Sequence, residues 1–203
     1  MIAIIDYDVG NIAAVANMLQ RVGARSVVTN DPSVVADAGR IILPGNGSFD
    51  ACMRNLRSTG LIPLIEHRVI GEKVPLLGIC VGAQMLGLRS QEGNEPGLGW
   101  LNMTVNRFPE VIGFPVPHMG WCEVACTQQL HPLAAELDDD ARFYFVHSYC
   151  MVPADPADVL LKARYGQEFV AAVARGNVVG VQFHPEKSHR FGKQLLAAFA
   201  KVI

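Results

Sequence analysis

The sequence predicts an α/β fold, with a mainly parallel or mixed sheet flanked by helices in a single domain over 1–203 and a small antiparallel section. Three observations predict it. Short apolar runs of strand length alternate with stretches of helical periodicity through the first half of the chain, the pattern of strand–helix–strand units. Half of the residues are apolar and 18% are charged, a balance that builds a packed core rather than a solvated chain. From about Gly97 to Cys126 the pattern changes to dense Gly, Pro, Trp and alternating Val, which suits antiparallel pairing.

Taken in order, Ile2 to Ile5 reads as a buried strand. Asn11 to Val22 follows as a helix, with Ile12, Val15, Ala16 and Leu19 on one face and Gly23 closing it. Ser26 to Thr29 and Arg40 to Leu43 are strands, the second stopped by Pro44-Gly45. Phe49 to Leu56 and Leu61 to Ile70 have helical spacing, Val74 to Ile79 is a strand, and Ala83 to Leu88 starts a helix. Phe143 to Tyr149, Leu160 to Tyr165, Phe169 to Ala174 and Val178 to Phe183 are further strands, and Phe191 to Val202 is a closing helix.

Composition also excludes classes of partner. A net charge of −2 with scattered basic residues gives no footprint for nucleic acid or an anionic membrane. Asp6 interrupts the apolar start after too few residues for a signal peptide, and no run approaches the roughly 18 apolar residues of a membrane span, so a cytoplasmic location is expected. The five cysteines have no framework spacing, and Cys122 and Cys126 lack a second ligand pair, so neither disulfides nor a metal site is expected, and no cofactor motif is present.

The most informative segment is Val74-Pro75-Leu76-Leu77-Gly78-Ile79-Cys80-Val81-Gly82-Ala83-Gln84. An apolar strand ends in Gly-x-Cys-x-Gly and passes into a helix, the cysteine form of a nucleophile elbow. There Cys80 would meet first-turn N–H groups that favour thiolate, and the Val81 N–H would face a developing oxyanion. A thiol nucleophile needs a base, and His184 ends the apolar run Val178 to Phe183. Glu186, two positions on, would face the same side in an extended backbone and orient the ring. After the third strand, Leu43-Pro44-Gly45-Asn46-Gly47-Ser48-Phe49 is a glycine-flanked turn that is neither a dinucleotide fingerprint nor a Walker loop. It could place the Asn46 N–H as a second oxyanion donor, or be a plain turn.

With those segments, the chain resembles a class I, triad-type glutamine amidotransferase. The motifs are PGNGSF at 44–49, GICVGAQ at 78–84 and QFHPEKS at 182–188. VPHMGW at 116–121, FYFVHSY at 143–149 and IIDYDVGNI at 4–12 are similar, more narrowly, to glutaminase subunits of imidazole glycerol phosphate synthases in histidine biosynthesis. The resemblance runs through essentially the whole chain. It implies a flavodoxin-like fold and L-glutamine as substrate, with Cys80 attacking the carboxamide, His184 moving the proton and Glu186 orienting it. It also implies that Gly47, Gln84, Glu92, His147 and Ser148 hold substrate. Asn11, His118, Met119, Trp121, Tyr144 and Lys187 would then face a heterodimeric (β/α)₈-barrel cyclase that receives ammonia. The sequence departs from the pattern at Asp8, where a glycine is usual, at Asn46, where an apolar residue is usual, and at Cys122, where Asn is usual. The opening and the EGNEPGLGW stretch also resemble paralogous subunits serving sugar-amidating synthases of surface-polysaccharide pathways. A stand-alone hydrolase and a catalytically silent binding subunit are the other readings weighed. The Cys80, His184 and Glu186 set, with VPHMGW, favours an ammonia-delivering glutaminase.

Overall fold

The computed structural model describes residues 1–128 and 130–202. The chain opens with β1 (Ile2–Ile5), α1 (Ile12–Arg21), β2 (Ser26–Thr29), α2 (Pro32–Ala36) and β3 (Arg40–Leu43). It continues through α3 (Phe49–Ser58), α4 (Ile62–Glu66), β4 (Leu76–Ile79), α5 (Val81–Gln84), β5 (Arg89–Ser90) and β6 (Met103–Arg107). The second half holds β7 (His118–Cys126), α6 (Pro132–Ala135), β8 (Arg142–His147), β9 (Tyr149–Pro153), β10 (Val159–Tyr165), β11 (Gln167–Arg175), β12 (Val178–Val181) and α7 (His189–Val202).

These strands join in one sheet of order β2-β1-β3-β4-β12-β11-β10-β7-β8, with β9 pairing β11 and β6, and β5 pairing β6. The run from β2 to β12 is parallel, and its start, β2-β1-β3-β4, is a flavodoxin-like order. Every residue of β1, β4 and β12 is buried, which explains their unbroken apolar sequences: a parallel strand covered on both faces has no polar side to offer. The antiparallel part extends well beyond the expected 97–126, because β8 through β11 add hairpins to it. No helix among the described residues is long and apolar enough to cross a membrane.

Three elements differ from the sequence expectation for identifiable reasons. The helix expected from Ala83 begins at Val81 and lasts four residues, because the Leu88 N–H bonds the Met103 carbonyl at 2.8 Å and draws the chain to the sheet edge. The helix expected to run from Leu61 to Ile70 stops at Glu66 and widens into a π-turn over His67–Gly71. The strand expected from Phe143 to Tyr149 breaks at Ser148, whose carbonyl accepts from the Phe108 N–H at 2.8 Å, and the chain re-enters the sheet as β9.

What positions the site is backbone packed directly on backbone at the carboxyl ends of β3 and β4. A Cβ built on Gly82 would lie 2.0 Å from the Leu43 carbonyl oxygen, one on Gly45 2.1 Å from the Gly82 nitrogen, and one on Gly78 2.8 Å from the Ala83 Cα. None of these neighbours is a flexible side chain, so the approach requires glycine. Gly82→Ala should therefore cost about 3 kcal/mol and lower Tm by roughly 6–12 °C. Gly39→Ala, whose Cβ would meet only ordinary contact at 3.8 Å, should stay within about 1 kcal/mol. Thermal and urea unfolding of the two variants read the contrast, and equal stability would refute the packing argument.

Candidate active site

Cys80 follows directly on β4 and adopts φ 54°, ψ −115°, a left-handed conformation that costs a residue with a Cβ about 1–3 kcal/mol. The surrounding structure imposes it. The Cys80 N–H donates to the Val181 carbonyl at 2.8 Å, and the Cys80 carbonyl accepts from the N–H groups of Ala83 at 3.0 Å and Gln84 at 3.2 Å. Val81 opens α5, so its N–H is one of the first-turn donors that a helix leaves without an internal partner.

His184 lies just past β12, on the strand adjacent to β4, and its N–H donates to the Tyr144 carbonyl at 2.9 Å. Its Nδ1 lies 2.8 Å from Glu186 Oε1, with both side chains almost wholly buried. The contact is not made by the extended backbone expected from the sequence. Pro185–Lys187 instead forms a 3₁₀ turn that folds Glu186 back onto the ring. Ser188 locks this turn: its hydroxyl donates to the His184 carbonyl at 2.6 Å and accepts from the Tyr144 N–H at 3.0 Å. Burial alone drives the imidazole toward its neutral form, but Cys80 and then Glu186 outweigh it and carry the His184 pKa up to about 10. The Nε2 atom is buried and makes no hydrogen bond of ordinary geometry among the described residues, yet Cys80 is close enough to raise the ring's pKa.

A cavity of about 200 Å³ opens over Cys80, small beside the roughly 300–1,000 Å³ of pockets for larger ligands. Val81 and Gln84 line it beside the thiol, Asn46 and Gly47 form one wall, and His147 and Ser148 form another, with Glu92 at its edge. Glu92 Oε2 accepts from the Phe49 N–H at the start of α3 at 2.8 Å, which fixes the carboxylate. The Asn46 loop is tied down from behind. Tyr7 hydroxyl donates to the Pro44 carbonyl, and the Cys52 thiol, its pKa pushed up to about 11 chiefly by burial, donates to the Asn46 carbonyl at 3.3 Å. Asn46 Oδ1 accepts from the N–H of Gly47, whose φ is +89°.

Several positions at the cavity escaped the sequence reading. Pro117, Val146 and Tyr149 also line the cavity. Gln182, fully buried, accepts from Gln84 Nε2 at 3.0 Å and places its own Nε2 3.9 Å from Cys80 Sγ. A glutamine inside an otherwise apolar strand run was the available signal, since a buried amide needs partners.

The residues expected at a partner surface divide. Met119 is 61% and Trp121 45% exposed. The Trp121 ring stacks on His189 at 5.5 Å and meets Tyr144 edge-on, with Lys187 Nζ 5.8 Å from the Tyr144 centroid. Asn11 is exposed just before α1, with no capping bond from its side chain. His118 is the correction: it is 1% exposed, because the period-two alternation of β7 turns it to the face opposite Met119 and Trp121. Cys122 falls on the same inward face, bonded to the Arg164 carbonyl at 3.0 Å, so that departure leaves the outward face unaltered. Among the described residues no group of three or more His, Cys, Asp or Glu could hold a metal ion.

An elbow thiol, an imidazole held by a carboxylate and a small polar cavity thus lie together at the carboxyl end of a flavodoxin-like sheet. The family model for "Glutamine amidotransferase class-I" matches residues 3–202. The chain belongs to the class I glutamine amidotransferase family and is a glutamine amidotransferase. It is 52% identical to imidazole glycerol phosphate synthase subunit HisH 2 of Pseudomonas aeruginosa over the full length of both chains. It is 45% identical to the subunit HisH 2 of Methanococcus maripaludis, over 99% of each. Among solved structures it resembles PurLQS of Thermotoga maritima at 21% identity and a TM-score of 0.73, covering 98% of this chain and 96% of that one. The last likeness shows the fold alone.

The raised His184 pKa gives a signed prediction. Stability from the protonated ring is fully present below the ordinary value of 6.5 and is lost as pH rises through about 10. Glu186→Gln removes one of the two groups that raise it. The stability gap between wild type and this variant should be largest below pH 6.5 and should narrow up to about 10, followed by denaturant unfolding at stepped pH. A gap that does not change with pH would contradict the coupling.

Proposed function

We propose that the chain, as a single cytoplasmic domain without cofactor, is the glutaminase subunit of an imidazole glycerol phosphate synthase. It hydrolyses L-glutamine and passes ammonia to a (β/α)₈-barrel cyclase that makes imidazole glycerol phosphate in histidine biosynthesis. The observation that carries the chemistry is the His184 ring, held at 2.8 Å by Glu186 and coupled to the strained Cys80 beneath a cavity of amino-acid scale. Relatives 52% and 45% identical over essentially their whole length carry the subunit's name, which supports the pathway.

Cys80 sulfur, as thiolate, attacks the glutamine side-chain carbonyl carbon, and the carbonyl electrons move onto oxygen. The N–H groups of Val81 and Asn46 receive that oxyanion, each such donor being worth roughly 3 kcal/mol. His184 gives its proton to the departing nitrogen, ammonia leaves, and a glutamyl thioester remains. Water then attacks the thioester with His184 as base, and glutamate departs as the thiolate reforms. Glu92, the one carboxylate that lines the cavity among the described residues, suits the substrate ammonium, with Gln84, Gly47 and the turn at His147 and Ser148 around the rest. Exposed Met119, Trp121 and Lys187 around half-buried Tyr144, with Asn11, form the surface proposed to meet the cyclase.

A second reading, a paralogous subunit feeding a sugar-amidating synthase, is favoured by one observation. Asp8, where a glycine is usual in the resembled subunits, is exposed and held at φ 62°, and so alters the surface after β1. Ammonia transfer assayed with each purified synthase separates the two.

Cys80→Ser should lower glutamine-dependent synthesis at least about a thousandfold while leaving synthesis from added ammonium salts intact. Loss of both would end the division of labour proposed here. Glutamine turnover by the isolated chain should rise about tenfold or more when the partner and its ligand are added, the size of an ordinary coupling between sites. Equal turnover in both conditions would exclude a partner-gated glutaminase.

A further inference from the structure

His118 and His147 are directly opposed residues of the antiparallel ribbon formed by β7 and β8. Both are buried, and His118 Nδ1 lies 3.0 Å from His147 Nε2. His147 Nδ1 in turn lies 2.8 Å from the Tyr149 carbonyl oxygen. That oxygen can only accept, so the proton sits on His147 Nδ1. Burial, the leading influence on each ring, pushes the pKa of His147 down to about 3 and that of His118 to about 4, so both are neutral near pH 7. A neutral imidazole carries one N–H, which leaves His147 Nε2 as a lone pair and makes His118 Nδ1–H the donor into it.

Two consequences follow for the cavity. Both nitrogens of His147 are spent inside the protein, so its ring lines the cavity without a free donor or acceptor for a ligand. Its contribution is shape: it holds the turn through Ser148 and Tyr149, both of which line the same space. His118 holds the ring from behind and is itself clamped, with the Tyr165 and Phe145 rings stacked on it at 4.0 Å and 5.1 Å between centroids.

We infer that His118 is a positioning residue for glutamine binding, acting through its hydrogen bond to His147; the inference rests on the glutamine reading of the cavity proposed above. Its strand carries Met119 and Trp121 on the outer face, and Pro117, just before the strand, lines the cavity, so the ring lies between the surface offered to a partner and the substrate wall.

The test is made on the full chain carrying Cys80→Ser, which can bind glutamine without turning it over. Calorimetry should show glutamine binding weakened about tenfold or more by His118→Leu, which keeps bulk but removes the donor, because small displacements of a shaped site cost this much. His118→Asn places an amide N–H near the position of Nδ1 and should bind within about threefold of the parent. In wild-type protein, ¹⁵N shifts should show His147 as the neutral Nδ1–H tautomer. A folded His118→Leu that binds as tightly as the parent overturns the inference alone. So does an Asn variant no better than Leu, or an Nε2–H tautomer at His147. A parent that binds no glutamine overturns the glutamine reading and this inference with it.

Discussion

The close approach of the β3 exit to the elbow after β4 is the constraint on which the rest of the site depends. Leu43, Pro44 and Gly45 lie against Val81 and Gly82 with no side chain between them. That contact leaves Cys80 no room to relax from its left-handed conformation, and the bond from the Cys80 N–H to the Val181 carbonyl closes the alternative. The strain is balanced by burial and hydrogen bonding of the whole parallel half of the sheet, so the thiol is presented by the fold and not by local preference. The same contact sets the loop that carries Asn46 beside Val81, which couples the geometry of Cys80 to that of the loop.

Around this corner, the polar groups are arranged in depth. Glu186 holds His184, and Ser188 holds the turn that carries Glu186. Gln182 joins Gln84 to the neighbourhood of the sulfur, Tyr7 and Cys52 secure the loop carbonyls, and His118 secures His147. Asn46, Gln84 and His147, which line the cavity, are thus each backed by a buried side chain. In a low-dielectric setting such partners fix orientation more firmly than exposed contacts would, since breaking one leaves a polar atom unsatisfied. Ligand groups would meet a wall whose shape is settled before they arrive.

The parallel strands were legible because burial on both faces writes itself as near-continuous apolar runs rich in Val, Ile and Leu, seen in β1, β3, β4 and β12. The placement of Cys80 and His184 at the ends of strands, which pair as neighbours, was legible because glycines flanking a cysteine at a strand end, and a histidine closing an apolar run, are local patterns with a mechanical meaning. The antiparallel half was less legible. The break at Ser148 follows from a hydrogen bond to Phe108, forty residues away in sequence by order of magnitude, and no local pattern announces it. The helix after the elbow ran short for a similar reason, as Leu88 is claimed by Met103.

By itself, then, the sequence determined the parallel architecture, the positions of Cys80 and His184 at the ends of strands, and the place of the loop beside them, since each depends on periodicity or on residues adjacent in the chain. Only the tertiary structure decided that His118 turns inward while Met119 and Trp121 turn out, that Glu186 reaches His184 by a turn, and that Gln182, Cys52 and Ser188 stand behind the cavity. Those outcomes depend on strand register and on hydrogen bonds between segments far apart in sequence. A one-residue change of register would reverse the faces of β7 without changing a letter of its sequence.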